Sequence, residues 1–215
     1  MGQTYGLGLC CSRLLMANQA FSTVHRMVWS RVVAALVVLY LLVASPPPLL
    51  PGWALELGEA VGLILLATAA FGRLWCLLFV AGRKNEQVVR EGPYSVVRNP
   101  LYVFSLLGAV GFGLAVENPL LAAVLGLGFI AYYHFVIRSE ERFLLSAFGK
   151  NYSAYLNQVP RWIPSFKLYH SPRTIEVDTT KVLRGIGDAM WFVWAFVLWE
   201  LMEVMRAFVL PMLRA

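Results

Sequence analysis

Long apolar runs alternate along this chain with polar segments that contain most of its basic residues. After a proline cluster at 46–51, apolar runs begin near Leu57, Leu101 and Asn118, and another occupies Val182 to Leu210. A helix needs about 20 apolar residues to cross a bilayer. With 59% hydrophobic and 14% charged residues, the chain carries more apolar surface than a soluble domain of this length can bury. The pattern excludes soluble globular, disordered and disulfide-rich secreted proteins and predicts a polytopic membrane protein.

We predict an all-α fold, a polytopic transmembrane bundle of about five membrane helices. The predicted spans are Arg31 to Ala44, Leu57 to Val80, Leu101 to Val116, Asn118 to Ile137 and Val182 to Leu210. The last of these could cross the membrane or lie along its surface. Glu59 and Arg73, inside the second span, would each cost about 2.5–3.5 kcal/mol if they faced lipid. We therefore expect them to face protein, water or headgroups.

The third and fourth spans are separated only by Glu117, Asn118 and Pro119, which predicts a tight helical hairpin. Small residues let membrane helices approach closely. The glycines expected to serve the hairpin are Gly108, Gly111 and Gly113 on one arm and Gly126 and Gly128 on the other, with Gly58 and Gly62 forming a further small pair on the second span.

Lysine and arginine are confined to some of the loops. Residues 82–100 and 138–184 are rich in them, whereas 45–55 and 115–119 contain none. Because basic residues favour cytoplasmic loops, we predict a multi-pass protein with a cytoplasmic N-terminus and both polar segments on that side. The net charge of +6 then reflects topology and anion binding, and no nucleic-acid partner is expected.

The first stretch that could carry chemistry is GPYSVVRNPLY, residues 92–102. Gly-Pro favours a turn, Pro100 suits the first turn of a helix, and Asn99 is placed as its N-cap. One interpretation is an ordinary loop before a capped helix. The other is an anion site formed by Arg98, Asn99 and the helix N-terminus.

The second stretch, residues 132–141, ends in two adjacent glutamates. On a continuing helix His134, Arg138 and Glu141 share a face, with Glu140 on the neighbouring one. These charges could simply be solvated where the helix leaves the membrane, or the carboxylates could face a cationic ligand.

The third stretch, residues 148–164, combines aromatic and helix-breaking residues. Gly149 is expected to end one helix, and Tyr152 and Tyr155 should lie near one face of the next. They could belong to the aromatic belt at the membrane surface or line a pocket. The cysteines, Cys10, Cys11 and Cys76, have no metal-ligand spacing, so no metal site is expected.

Together these stretches resemble the isoprenylcysteine carboxyl methyltransferase and phospholipid methyltransferase family. GPYSVVRNPLY is similar to its GPY…RHPxY signature, and the Glu140-Glu141 pair, the run from Leu144 to Tyr155 and VPRWIP follow in the same order. The resemblance covers about residues 72–165. The usual histidine of the signature is Asn99 here, which can donate a hydrogen bond but cannot titrate near pH 7.

The resemblance implies an integral membrane methyltransferase that uses S-adenosylmethionine, without a Rossmann domain, with a cofactor pocket open to the cytosol and a lipophilic substrate that enters from the bilayer. It implies that Arg98 and Arg161 are the catalytic residues, facing an anionic group on the substrate. The cofactor-binding residues that it implies are Tyr94, Arg98, Asn99, Pro100, Leu101, Tyr102, Glu140, Glu141 and Tyr155.

The resemblance also suggests three parts of the chain. These are 1–81 with the N-terminal tail and first two membrane helices, 82–170 as the methyltransferase-like core, and 171–215 as a linker and apolar helix. Two other functions remain open at this point. One is an NADPH-dependent membrane reductase of the sterol type, and the other is a non-catalytic scaffold or small transporter.

Overall fold

The computed structural model describes residues 50–83 and 86–214, together with the isolated helical positions 32, 36, 37 and 40. Apart from those four positions, the predicted first span lies outside the described residues, as do Cys10 and Cys11. In the part that the structure describes, all regular structure is helical, and the helices below belong to one compact unit, Leu49–Ala215. The prediction of an all-α membrane bundle is confirmed.

Seven α-helices and one 3₁₀ turn follow one another in the described part of this unit. They are α1 (Gly52–Val80), α2 (Pro93–Val96), α3 (Pro100–Ala115), α4 (Pro119–Phe148), α5 (Lys150–Gln158), the 3₁₀ turn Phe166–Leu168, α6 (Thr179–Ala189) and α7 (Trp191–Arg214). Among described residues, three segments are long and apolar enough to cross a membrane: α1, α4 and Thr179–Met205. The shorter α3 is also apolar.

Proline and glycine set the ends of the central helices. Pro100 and Pro119 occupy the first turns of α3 and α4, where a missing N–H costs no hydrogen bond. Helix α4 continues beyond Ile137, the predicted end of the apolar span, to Phe148, because residues 138–148 contain neither proline nor glycine. Gly149 ends it as predicted, with φ +51° and ψ −125°, a conformation that other residues rarely adopt.

Close backbone contacts join α3 to its neighbours on both sides. A Cβ on Gly113 would lie 2.4 Å from the Cα of Ala122, so the predicted α3–α4 hairpin packs backbone to backbone there. A Cβ on Gly62 of α1 would lie 2.4 Å from the backbone nitrogen of Ala115. Helix α3 is therefore the central helix, packed between α1 and α4.

Two of the hairpin glycines were assigned to the wrong neighbour. Gly111 packs on α1, since a Cβ added to it would lie 2.9 Å from the carbonyl oxygen of Gly62. Gly108 packs on Phe192 of α7. Successive residues rotate by about 100° around a helix, so these positions face away from Gly113. Gly128 has no neighbour within 4 Å of an added Cβ, and the same holds for Gly58.

Arg73, seven residues before the end of α1, faces protein as predicted. Its Nη1 contacts the Oγ of Ser105, its Nη2 donates to the carbonyl oxygen of Asp188 at 2.6 Å, and its guanidinium lies 5.8 Å from the ring centroid of Phe192. Asp188 lies in the last turn of α6, just before the break at Met190 that separates α6 from α7. The last apolar stretch is therefore two helices, with Arg73 contacting the point where the first one ends.

Candidate functional site

Two irregular segments lie against each other at the polar end of α3 and α4. Residues 92–99, the signature loop, begin at Gly92, whose φ of +58° allows the turn. Residues 159–170, the strap, run across this loop. Hydrogen bonds connect the N–H of Gly92 to the oxygen of His170 at 2.8 Å and the N–H of Ser165 to the oxygen of Val96 at 3.0 Å.

A buried glutamate joins the loop and the strap to α4. The carboxylate of Glu141 accepts from Nη1 of Arg98 at 2.9 Å and from Nε and Nη2 of Arg161 at 3.1 and 2.6 Å. Arg98 is further fixed by its Nε, which donates to the oxygen of Val159 at 2.6 Å. Hydrogen bonds between ionised partners are about twice as strong as neutral ones, so this cluster orients both arginines.

The two guanidinium groups still have capacity for a ligand. Nη2 of Arg98 and Nη1 of Arg161 donate to no acceptor among the described residues. Two positive charges beside one carboxylate leave a net positive charge of one. Arg161 is also about one-third exposed in its side chain. The cluster can therefore meet an anionic group without losing its internal bonds.

The neighbouring Glu140 contacts an aromatic side chain. Its Oε2 accepts from the hydroxyl of Tyr102 at 2.9 Å. The ring of Tyr102 lies 4.6 Å from that of Tyr133, which stacks on Phe129 at 4.0 Å between centroids. A carboxylate beside aromatic rings suits a cationic ligand. The predicted site residues do not include Tyr133, although it shares a helix face with Glu140 by i, i+7 spacing.

Asn99 occupies the N-cap position of α3, as predicted, but its side chain makes no capping bond. The backbone oxygen of Asn99 accepts instead from the N–H groups of Tyr102 and Val103. Its Nδ2 is buried and has no partner among the described residues. A buried unsatisfied donor costs about 1–3 kcal/mol. A ligand acceptor at this point would remove that cost.

Tyr155 fixes the position of the signature loop. Its hydroxyl donates to the oxygen of Tyr94 at 2.7 Å, and its ring packs with the buried Tyr152 and Val159. Burial raises the pKa of both Tyr94 and Tyr155 above the ordinary value, so both hydroxyls stay protonated at neutral pH. The hydroxyl proton of Tyr155 is therefore used in the hydrogen bond that holds the backbone of Tyr94 in place.

The structure brings most of the predicted site residues together. Asn99, Arg98, Tyr102, Glu140, Glu141 and Arg161 lie where the start of α3, the middle of α4 and the strap meet. Pro100 is fully buried and forms the first turn of α3, and Leu101 is half-buried beside it. Carbonyl groups of the strap, such as that of Val159, were missed because no side-chain pattern marks a backbone acceptor.

Comparison with known proteins matches residues 61–151 to the phospholipid methyltransferase family. Nickel-cobalt-cadmium resistance protein NccN of Alcaligenes xylosoxydans xylosoxydans is 36% identical over 188 residues, 87% of each chain. Cobalt-zinc-cadmium resistance protein CzcN of Cupriavidus metallidurans is 41% identical over 140 residues, 65% of this chain and 64% of that protein, slightly under two-thirds of its length.

The chain is also similar, more distantly, to enzymes whose names state the reaction that they catalyse. Protein-S-isoprenylcysteine O-methyltransferase B of Arabidopsis thaliana is 29% identical over 109 residues, 50% of this chain and 54% of that enzyme. No solved structure matches the chain. Residues 61–151, which match the phospholipid methyltransferase family, contain the signature loop, the hairpin and the Glu140-Glu141 pair. This chain therefore belongs to the family of phospholipid and isoprenylcysteine methyltransferases.

Proposed function

We propose that this protein transfers the methyl group of S-adenosylmethionine to a lipophilic acceptor in the membrane. Family membership supports methyl transfer, and the apolar spans support a membrane enzyme. The observation that carries the cofactor assignment is the Nδ2 of Asn99, which is buried and has no partner among the described residues. Asn99 directly follows Arg98 of the arginine cluster in the chain and stands three residues before Tyr102, whose hydroxyl donates to Glu140. Donors and a carboxylate grouped in this way suit a zwitterionic amino-acid group.

The residues present fit this cofactor by their chemistry. Asn99 would donate to the carboxylate of the methionine part, and Glu140, with the rings of Tyr102 and Tyr133, would contact its ammonium or a ribose hydroxyl. Glu141 already accepts from Arg98 and Arg161, so it acts as a positioning residue. When bound, the cofactor supplies an electrophilic methyl group on a sulfonium.

The chain itself contributes alignment and charge. Methyl transfer needs an in-line approach, and positioning alone can lower a barrier substantially. Asn99 cannot act as a base near pH 7, and the raised pKa values of Tyr94 and Tyr155 keep these hydroxyls neutral. We therefore propose an acceptor that is already anionic, such as a carboxylate, oriented by the N–H groups of Arg98 and Arg161 that bond to no other described residue.

The names of two relatives suggest a biological setting. Both NccN and CzcN are named as metal resistance proteins. We propose that this chain also acts in resistance to metal ions, by modifying a membrane component. Growth of a host that lacks or carries the gene, in graded nickel, cobalt and cadmium, would test this: equal tolerance of both strains would contradict it.

Calorimetry on the protein purified in detergent tests the cofactor assignment. We expect S-adenosylmethionine and S-adenosylhomocysteine to bind and NADPH not to bind. Binding of NADPH alone would point to the reductase function, and binding of none of the three would point to a scaffold or transporter. Transfer of labelled methyl from the cofactor to a membrane lipid extract, followed by mass spectrometry, then identifies the acceptor.

A further inference from the structure

The strap presents large apolar side chains to its surroundings at the polar end of the bundle. Ile163 is 81% exposed and Phe166 is 76% exposed, with Tyr169 half exposed in the same segment. Burying a side chain of this size is worth about 1.5–3 kcal/mol. Clustered exposed apolar groups usually mark an interaction surface.

The level of the strap along the membrane normal follows from one ring contact. Tyr169 packs on Trp75 of α1 with 6.0 Å between ring centroids. Trp75 lies five residues before Val80, the last residue of α1, which is about 7–8 Å along the helix axis. The headgroup layer on each side of a bilayer is about 5–8 Å thick. The strap therefore returns to the level of that layer.

The surface beside this contact is itself of the lipid-facing kind. Phe71 and Ile64 of α1 are 73% and 66% exposed. They line a shallow apolar groove of about 590 Å³ that also includes Trp75 and Phe104. The exposed side chains of the strap thus continue the apolar surface of a membrane-spanning helix. This continuity favours the bilayer over a protein partner.

Charge in the same segment agrees with that environment. Lys167 lies between Phe166 and Leu168 and is exposed. A lysine beside apolar side chains at a membrane surface can extend its ammonium toward lipid phosphates. Tyrosine is enriched at the same level, because its ring is apolar and its hydroxyl polar.

We propose that residues 163–169 insert into the headgroup layer of the bilayer and so anchor the strap. The anchored strap holds the signature loop through the bonds of Ser165 to Val96 and of His170 to Gly92. Contact with lipid thereby stabilises the loop that presents Arg98 and Asn99. This inference concerns the environment of the strap and stands whether or not the chain transfers methyl groups.

Spin labels that report depth test the insertion. Phe166→Cys and, separately, Ile163→Cys are labelled in a Cys10→Ser, Cys11→Ser background, since Cys76 is fully buried. The protein is reconstituted in nanodiscs of phosphatidylcholine and phosphatidylglycerol. Accessibility to oxygen and to a water-soluble nickel chelate is compared with labels at Leu127, an exposed position in α4, and Asn157, an exposed position in α5.

We expect the oxygen and chelate accessibilities of labels at 163 and 166 to lie between those of the two controls. Their oxygen accessibility should be well above that of the label at Asn157. Chelate access equal to that at Asn157 at both positions would overturn the proposal and leave the patch for a protein partner.

The coupling to the loop is tested by hydrogen exchange of residues 92–99 in nanodiscs. An Ile163→Ser, Phe166→Ser variant should exchange several-fold faster there, and a matched Asn157→Ser variant should not. Unchanged exchange would overturn the coupling.

Discussion

Arg161 donates from both Nε and Nη2 to the carboxylate of Glu141, at 3.1 Å to Oε1 and 2.6 Å to Oε2. Arg98 donates to the same carboxylate from the signature loop. One buried side chain of α4 therefore joins two segments that are about 60 residues apart in the chain. The loop, α4 and the strap are held in register by this contact.

Replacing Glu141 by Gln should destabilise the protein. Removing one partner of a buried ion pair costs about 3–5 kcal/mol, and we expect the lower end because Arg161 is partly exposed. The free energy of unfolding in mixed detergent measures the effect. Glu86→Gln, at an exposed position, is the control and should change little. A Glu141→Gln protein as stable as the parent would show that the cluster contributes no net stability.

Asn99→Ala should not lower stability, and it should weaken binding of S-adenosylmethionine. Its Nδ2 has no described partner to lose, whereas a hydrogen bond to a charged ligand is worth about 1.5–3 kcal/mol, or roughly ten- to hundredfold in affinity. Asn118→Ala is the matched control: its Oδ1 accepts from the N–H of Leu121 at 2.9 Å, so it should lose about 1 kcal/mol of stability and keep its affinity. The reverse pattern would refute the assignment of Asn99.

Arg73→Lys should behave as a non-conservative change. The guanidinium reaches Ser105 and the carbonyl of Asp188 at the same time, a geometry that a single ammonium does not reproduce. A double-mutant cycle with Ser105→Ala, measured by unfolding in detergent, should give a coupling energy of about 0.5–3 kcal/mol. A coupling energy near zero would mean that the contact of Arg73 with Ser105 adds no stability.

Gly113→Ala should disrupt the hairpin, because the added Cβ would lie 2.4 Å from the Cα of Ala122. Gly128→Ala adds the same methyl group where no atom lies within 4 Å. That variant should be neutral or more stable by up to about 1 kcal/mol, the difference in helix propensity. Thermal unfolding compares the two variants, and equal melting temperatures would contradict the packing described here.

The start of α6 should loosen at acid pH. Oδ1 of Asp178 accepts from the N–H of Lys181 at 3.0 Å, and this bond holds the pKa of Asp178 below its ordinary value. The cap thus stabilises α6 fully above the ordinary carboxyl pKa, and its contribution is lost as the pH falls through the lower, folded value. Hydrogen exchange of α6 amides at pH 3, 5 and 7, corrected for intrinsic rates, should show faster opening at pH 3. An Asp178→Asn protein with the same pH dependence would exclude this residue as the cause.

Several features could be predicted from the sequence because their causes are local. Long apolar runs predict the spans, Pro100 and Pro119 predict where helices begin, and Gly149 predicts where α4 ends. The order of the motifs predicts the family. The predicted apolar span stops near Ile137 because polar residues begin there, while the helix itself continues to the breaker at Gly149.

What only the tertiary structure decided is which side chains meet. Residue spacing does not state how each helix is rotated about its axis, so Gly108 and Gly111 were assigned to the wrong neighbour. Nor does it reveal that Glu141 is neutralised by the chain's own arginines while the buried Nδ2 of Asn99 finds no acceptor within the described part of the chain. The sequence by itself determined the apolar spans of α1, α3 and α4, the proline and glycine residues at the ends of the central helices, and the family. The site depends on contacts between segments far apart in the chain, such as Gly92 with His170 and Arg98 with Glu141, which form only when helix packing and the strap bring them together.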